Sequence, residues 1–251
     1  MSGHNKWSKI KRQKGVADLK KGKVFSQFSK MITIAAKSGG DPDFNPTLSI
    51  AVEKAKQANM PADNIEKAIK KGTGELEGGA IEEVLYEAYG AGGIALIIEA
   101  TTDNTNRTVA EIKHLLTINN GRLGEAGSVK WMFDRFGFIE IKIKENKLSE
   151  DELEMAIIEA GAEDFKILTT PSPSLSGGEE IIVVYTKPEN LYKVKENLEK
   201  GNIKISETGF EWKAKNLIKA EDEKVNSRIE KLFEALNEQE DVVEVYSNLE
   251  E

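Results

Sequence analysis

Between Lys6 and Lys23 the chain places Lys6, Lys9, Lys11, Arg12, Lys14, Lys20, Lys21 and Lys23 against a single acid, Asp18, with Trp7 among the first of them. Cations at this spacing neutralise phosphates and release counterions, and a flat indole between them can stack on a base. That is the chemistry of a nucleic-acid contact, and these nine residues are its candidate set. A solvated basic terminus has the same composition, so both readings stay open at this level.

Two further groups carry chemistry. Thr101, Thr102, Asp103, Asn104, Thr105, Asn106 and Arg107 form an entirely polar run between an apolar stretch and a helical pattern. A strand-to-helix loop can turn helix N-terminal amides towards an anion, with Arg107 clamping a phosphate or carboxylate. Asp103, Asn104 and Thr105 are equally the types that cap a helix. Asn64, Lys67 and Lys71 share one helical face beyond Asn59-Met60-Pro61. They suit either the second helix of a helix-turn-helix or the wet side of an ordinary bundle.

Enzymatic sets are missing from this inventory. There is no Cys, so thiolate and Cys-metal chemistry lack their parts, and with His4 and His114 the two imidazoles, the scarcity of His argues against a His-based metal site or a Ser-His triad. Gly90, Gly92 and Gly93 precede a strand instead of opening a helix, which excludes the dinucleotide and P-loop fingerprints. Glu150, Asp151, Glu152 and Glu154 cluster as on a solvated helix face. We expect no catalytic residues, no metal site and no cofactor.

Charge divides the chain. Up to Gly74 there are 15 basic and 6 acidic residues, a net +9, so the rest of a 251-residue chain of net charge −8 carries −17. Screening over about 8 Å at physiological salt lets a phosphate near the N-terminal segment feel that local charge. Overall acidity therefore leaves nucleic acid open as a partner, and the acidic remainder is expected to meet a protein or to set orientation. The N-terminus lacks the apolar core of a signal peptide, and no stretch approaches the roughly 18 apolar residues of a membrane span. A cytoplasmic protein without a membrane partner is expected.

The elements that must position these groups follow from periodicity. Residues 1–19 read as an arm. Val24, Phe25, Phe28, Met31, Ile32 and Ala35 fall at helical spacing beyond Gly22, with Gly39-Gly40 as a stop. Asn45 and Pro46 open a second helix, Pro61 and Asp63 a third that ends at Gly72. A linker over Thr73–Ala80 precedes strands at Val84–Ala88 and Ile94–Glu99, a helix over Thr105–Ile118 and a third strand at Val129–Phe133. After Arg135 the order becomes βαββαβ. It comprises a strand from Phe136 to Ile143, a helix opened by the Ser149/Glu152 capping box, and strands at Phe165–Leu168 and Ile181–Tyr185 flanking a loop over Thr169–Gly178. A helix over Asn190–Leu198 and a strand over Ile203–Trp212 complete it. A last helix through Val225–Leu236 and a strand at Val242–Tyr246 cannot stand alone, and are expected to return to the middle sheet. The expected fold is α+β multidomain: a basic three-helix bundle (1–78), a discontinuous α+β domain (79–135 plus 214–251) and an inserted ferredoxin-like domain (136–213).

The motifs carry a resemblance. Ser2-Gly3-His4-Asn5-Lys6-Trp7-Ser8-Lys9-Ile10-Lys11 resembles the G-H-S-K-W-x-x-I-K opening of the YebC/PmpR family, and Asp18 to Phe25 resembles its next block. Pro61 to Gly74, Tyr86 to Gly93, Thr102 to Glu111 and Gly124 to Gly137 are similar to further family blocks, in order along the chain. The resemblance implies three domains, the third inserted in the second. It also implies a function, for which the family offers two: DNA-binding transcriptional regulation, or translational activation by a ribosome-associated factor that binds rRNA. It further raises Asp103, Asn104, Asn106 and Arg107 as a functional loop. Arg12 and Gln13 depart from the family's His and basic residue, and Ala88 and Ala91 from a Gly and a Pro. Arg12 preserves the positive charge.

Overall fold

The computed structural model describes residues 18–76, 81–172, 175–220 and 222–250, with the backbone alone at 18–21, 170–172 and 175–179. Residues 1–17, which include Lys6, Trp7, Lys9, Lys11, Arg12 and Lys14, lie outside the described residues. The chain divides into two compact units, one formed by Phe133–Lys215, the other by the described residues before and after that stretch.

The larger unit begins with three helices, α1 (Asp18–Ala36), α2 (Pro46–Gln57) and α3 (Ala62–Thr73). Helix α1 starts before Gly22, earlier than periodicity placed it. Asn45 caps α2 by accepting from Leu48 N at 3.1 Å, and its amide donates to Ala35 O and Gly39 O, both at 2.8 Å. One side chain thus fixes the α1–α2 turn and satisfies an otherwise orphaned helix end. Ile32, Leu48, Val52, Ala55, Ile65 and Ala68 form the bundle core. Gly72 does not stop α3 as the sequence suggested; that role falls to Gly74, left-handed at φ 83°. Gly72 serves close approach, since a Cβ there would lie 2.3 Å from Thr33 O.

The same unit continues with β1 (Glu82–Tyr89), β2 (Ala95–Thr102), α4 (Thr105–Ile118), β3 (Arg122–Leu123), α7 (Glu223–Glu238) and β8 (Val242–Ser247). Its sheet runs β3-β1-β2-β8, antiparallel throughout, so the last strand pairs with β2. The third strand is not Val129–Phe133. Lys130–Met132 is a 3-10 turn, and the two-residue β3 pairs with Ala88 and Tyr89. Such a short strand leaves no periodic trace. Helices α4 and α7 contribute Ile112, Leu116, Ile229, Leu232, Phe233 and Leu236, all buried, to the core beside Leu96, Ile98 and Val245.

The unit Phe133–Lys215 contains β4 (Phe133–Lys142), α5 (Glu150–Glu159), β5 (Asp164–Ser172), β6 (Leu175–Thr186), α6 (Leu191–Lys200) and β7 (Glu207–Ala214). Its four strands are ordered β5-β6-β4-β7, all neighbours antiparallel. Ile139, Ile141, Ile182 and Val184 face Leu153, Ile157, Val194 and Leu198 of the helices. Phe138, Ile181, Val183 and Tyr185 form a second buried cluster on the alternate positions, which explains the near-continuous apolar runs. The expected loop over Thr169–Gly178 is a correction: Thr169 and Thr170 pair with Glu180 and Glu179, extending β5 and β6 into a long hairpin. Ser149 and Glu152 form the expected capping box on α5.

Candidate nucleic-acid interface

Of the nine candidates in the basic segment, Lys20 and Lys21 lie in the first turn of α1, and Lys23 lies one turn further on. The Lys23 ammonium donates to the Asn237 carbonyl. Its charge is therefore engaged with the C-terminal end of α7. On α3, Asn64, Lys67 and Lys71 are all exposed, at i, i+3 and i+7 on one face, and the α2–α3 turn passes through Asn59 at φ 60°. Lys70, on an adjoining face, pairs with Glu66 at 2.6 Å.

Helix α1 buries two faces. The apolar one fills the bundle. The other, at the helical spacing of Lys23, Gln27 and Lys30, meets the corner between α7 and β8. Gln27 Nε2 donates to Val242 O at 2.5 Å, and Lys30 Nζ reaches Asp241 Oδ1 at 2.5 Å. Thr33, next along the helix, donates to Ser29 O and Ala68 O within the bundle, and Lys37 Nζ to Ile81 O at 2.6 Å.

Asp241 is the hub of this contact. Its other oxygen accepts from Thr108 Oγ1 at 2.7 Å, from Arg107 at 3.0 Å and from Thr102 Oγ1 at 3.2 Å. The carboxylate is 2% exposed, so an unpaired charge there would be costly. Burial pushes its pKa up. Hydrogen bonds from Lys30, Thr108 and Arg107, with the Lys30 charge, outweigh burial and hold the carboxyl well below the usual range. Tyr86, buried close by, is pushed the other way by burial and by the Asp241 charge.

Several side chains of the polar loop are held by this contact and by one another. Asn104 caps α4, accepting from Arg107 N at 3.0 Å, and Asp103 Oδ1 lies 3.1 Å from the Arg107 guanidinium. Arg107 divides its donors between Asp103 and Asp241, with its side chain 46% exposed. Asn106 is exposed. The loop ties strand, helix and last strand together, and Arg107 keeps an exposed outer side. His114 is exposed on α4. Among the described residues no three His, Asp or Glu side chains come together as a metal-binding group, and no helix is long and apolar enough to cross a membrane.

Sequence reasoning missed two carboxylates. Asp241 follows a helix end and has no local signal, because its partners lie up to 211 residues away. Glu87 sits in β1 between Tyr86 and Ala88, where alternation implies a wet position. It is 6% exposed and accepts from Gly127 N, Val129 N and Lys130 N at 2.6, 2.7 and 2.7 Å. Burial raises its pKa, but the three amides and the Lys130 charge overcome that and leave the carboxyl below its ordinary value. An acid inside an apolar strand was the available signal.

Comparison with known proteins bears on the whole chain. Residues 5–75 match the model of the TACO1/YebC protein N-terminal domain, and residues 81–249 that of the TACO1/YebC second and third domain. A Thermoanaerobacter pseudethanolicus protein is 48% identical over 251 residues, covering 100% of this chain and 97% of its own. A Halothermothrix orenii protein is 46% identical over 249 residues, covering 99% and 94%. Both bear the name "Probable transcriptional regulatory protein". The crystal structure of a conserved hypothetical protein from Aquifex aeolicus, 45% identical, superposes with a TM-score of 0.79 over 93% of this chain and 91% of its own. With both of its parts matched by the family's models and relatives aligned end to end, this chain belongs to the TACO1/YebC family.

Proposed function

We propose that the chain is a non-enzymatic, nucleic-acid-binding transcriptional regulator that contacts DNA phosphates through its basic N-terminal segment. The observation that carries the reading is the concentration of +9 in the first 74 residues of a chain whose remainder carries −17. Lys6, Lys9, Lys11, Arg12, Lys14, Lys20 and Lys21 supply phosphate contacts, and Trp7 a stacking surface. The exposed Asn64, Lys67 and Lys71 stripe on α3 extends the same charge. The printed name of the relatives agrees with this reading. Arg107 and its loop act chiefly by holding α1 and β8 to the sheet.

On architecture, the βαββαβ element order and the strand order β5-β6-β4-β7 support reading the insertion as a ferredoxin-like domain, with the basic helices as a third domain. The acidic parts would carry a protein contact.

Sedimentation of cell extract through a sucrose gradient, with and without DNase, tests the choice of partner. A DNA regulator leaves the fast-sedimenting fractions after DNase. Comigration with ribosomes that survives DNase overturns the DNA reading in favour of an rRNA-binding translation factor using the same cations.

A further inference from the structure

Trp131 is 65% exposed, yet its setting is fixed. It lies in the 3-10 turn Lys130–Met132, whose preceding residue Val129 is wholly buried and whose amides at Val129 and Lys130 are held by Glu87. Its indole Nε1 donates to Ser128 O at 3.0 Å, and the Tyr89 hydroxyl donates to the same carbonyl at 3.0 Å. The polar atoms of two aromatic side chains thus meet at one acceptor. Arg122, opposite Tyr89 in the β1–β3 register, lays its guanidinium 4.7 Å from the centre of the Tyr89 ring. Lys130 is the exposed neighbour of Trp131.

Trp131 presents a large indole to solvent from a backbone held in place. Its one polar atom is already satisfied, so what it offers a partner is a ring face. Arg122 lies over the Tyr89 ring and Lys130 directly precedes Trp131, while the Glu87 carboxylate is turned to three backbone amides and Glu125 is the exposed carboxylate of residues 121–132. Aromatic faces with cations beside them are what single-stranded nucleic acid requires: rings for bases, cations for the phosphates between them. We propose that Trp131 and Tyr89, with Arg122 and Lys130 beside them, form a stacking platform for an unpaired nucleobase of a single-stranded nucleic acid. This rests on the nucleic-acid reading above and adds a contact remote in sequence from the basic segment.

The test uses the full chain. With three tryptophans in all, Trp7→Phe together with Trp212→Phe leaves Trp131 as the sole emitter. The probes are labelled 12-nucleotide oligo(U) RNA, oligo(dT) DNA and a duplex of equal length, with binding read by anisotropy and stacking by tryptophan quenching. Quenching by the single strands and not by the duplex is expected, and the RNA and DNA arms show which sugar is preferred. Trp131→Ala in the otherwise unaltered chain should weaken single-strand binding by about 5- to 150-fold, the range for one stacked base, without changing the salt slope. Trp131→Phe should restore most of the affinity. Unchanged melting in Trp131→Ala would keep a folding defect out of the reading. Anisotropy that shows binding while Trp131 stays unquenched overturns the platform but leaves the basic segment standing. No binding of any probe overturns both.

Discussion

Lys30 on α1 and Asp241 at the entrance to β8 lie 211 residues apart and form an ion pair at 2.5 Å, with the carboxylate 2% exposed. This pair joins the basic helices to the sheet through polar atoms, alongside Gln27 on Val242 O and Lys23 on Asn237 O. The first helix is therefore oriented by geometry-dependent bonds more than by apolar contact on that face.

Removing the hub should be costly. Asp241→Ala strands the Lys30 ammonium and is expected to lower stability by about 3 to 5 kcal/mol in urea denaturation, the range for breaking a buried pair. Arg107→Ala, at the solvent-facing side, should cost clearly less. The pH dependence has a defined sign. The folded pKa of Asp241 is depressed, so its contribution is present above the unfolded value of about 3.9 and is lost as pH falls below it. Asp241→Asn should flatten the acid limb of the stability curve.

Lys213 should show the opposite limb. Burial pushes its ammonium down to about 8, Lys166 adds to this, and Glu211 and Asp164 oppose it. The ammonium lies over the Tyr185 ring, 2.8 Å from its centre. Between about 8 and the unfolded value near 10.4 the folded chain binds fewer protons, so stability rises with pH through that window. Lys213→Met should be more stable than the parent at pH 7 by about 1 to 2 kcal/mol, after allowance for partial exposure, and should lack the rise. Urea midpoints from pH 7 to 10 measure both effects.

Glu87 organises the segment that carries Trp131. Glu87→Gln replaces a charged acceptor oxygen with an NH2 group facing backbone N–H, leaving at least one amide unsatisfied. Hydrogen exchange at Gly127, Val129 and Lys130 should accelerate, with protection in the bundle core around Leu48 and Ala68 unchanged. Equal protection at all three amides would contradict the role given to this carboxylate.

Gly72→Ala sets helix propensity against packing. Alanine favours the helix by about 1 kcal/mol, but its Cβ would meet Thr33 O at 2.3 Å and Ala36 Cβ at 2.6 Å. A backbone carbonyl cannot swing aside as a side-chain tip can, and overpacking costs about 1 to 3 kcal/mol before relaxation. The variant should melt below the parent; a higher melting temperature would show that α1 and α3 can separate freely.

Local chemistry was legible where it decides structure locally. Asn45 with Pro46, the bounds Thr105 to Ile118 and the Ser149/Glu152 box are written in caps and periodicity, and the structure bears out each. The two-residue β3 and the hairpin beyond Thr169 were not, because pairing with a neighbouring strand, rather than their own composition, makes them extended. Gly72 reads as a stop until the carbonyl of Thr33 is seen beside it. At the candidate site the basic residues and the polar loop were visible in the sequence as residue types. The occupation of Arg107 and Lys23 by Asp241 and Asn237 depends on partners far along the chain, which no local window contains.

If the basic segment binds nucleic acid through phosphates, as proposed, its affinity must depend on salt. Affinity of the full chain for duplex DNA should fall as salt rises, with a slope of log affinity against log salt set by the number of phosphates neutralised. Changing Lys9, Lys11, Arg12 and Lys14 together to Ala should weaken binding and lower that slope by about 0.9 for each phosphate no longer neutralised, or about 0.7 on a single strand. Affinity and slope both equal to those of the parent chain would rule out phosphate binding by these cations and leave the segment a solvated tail.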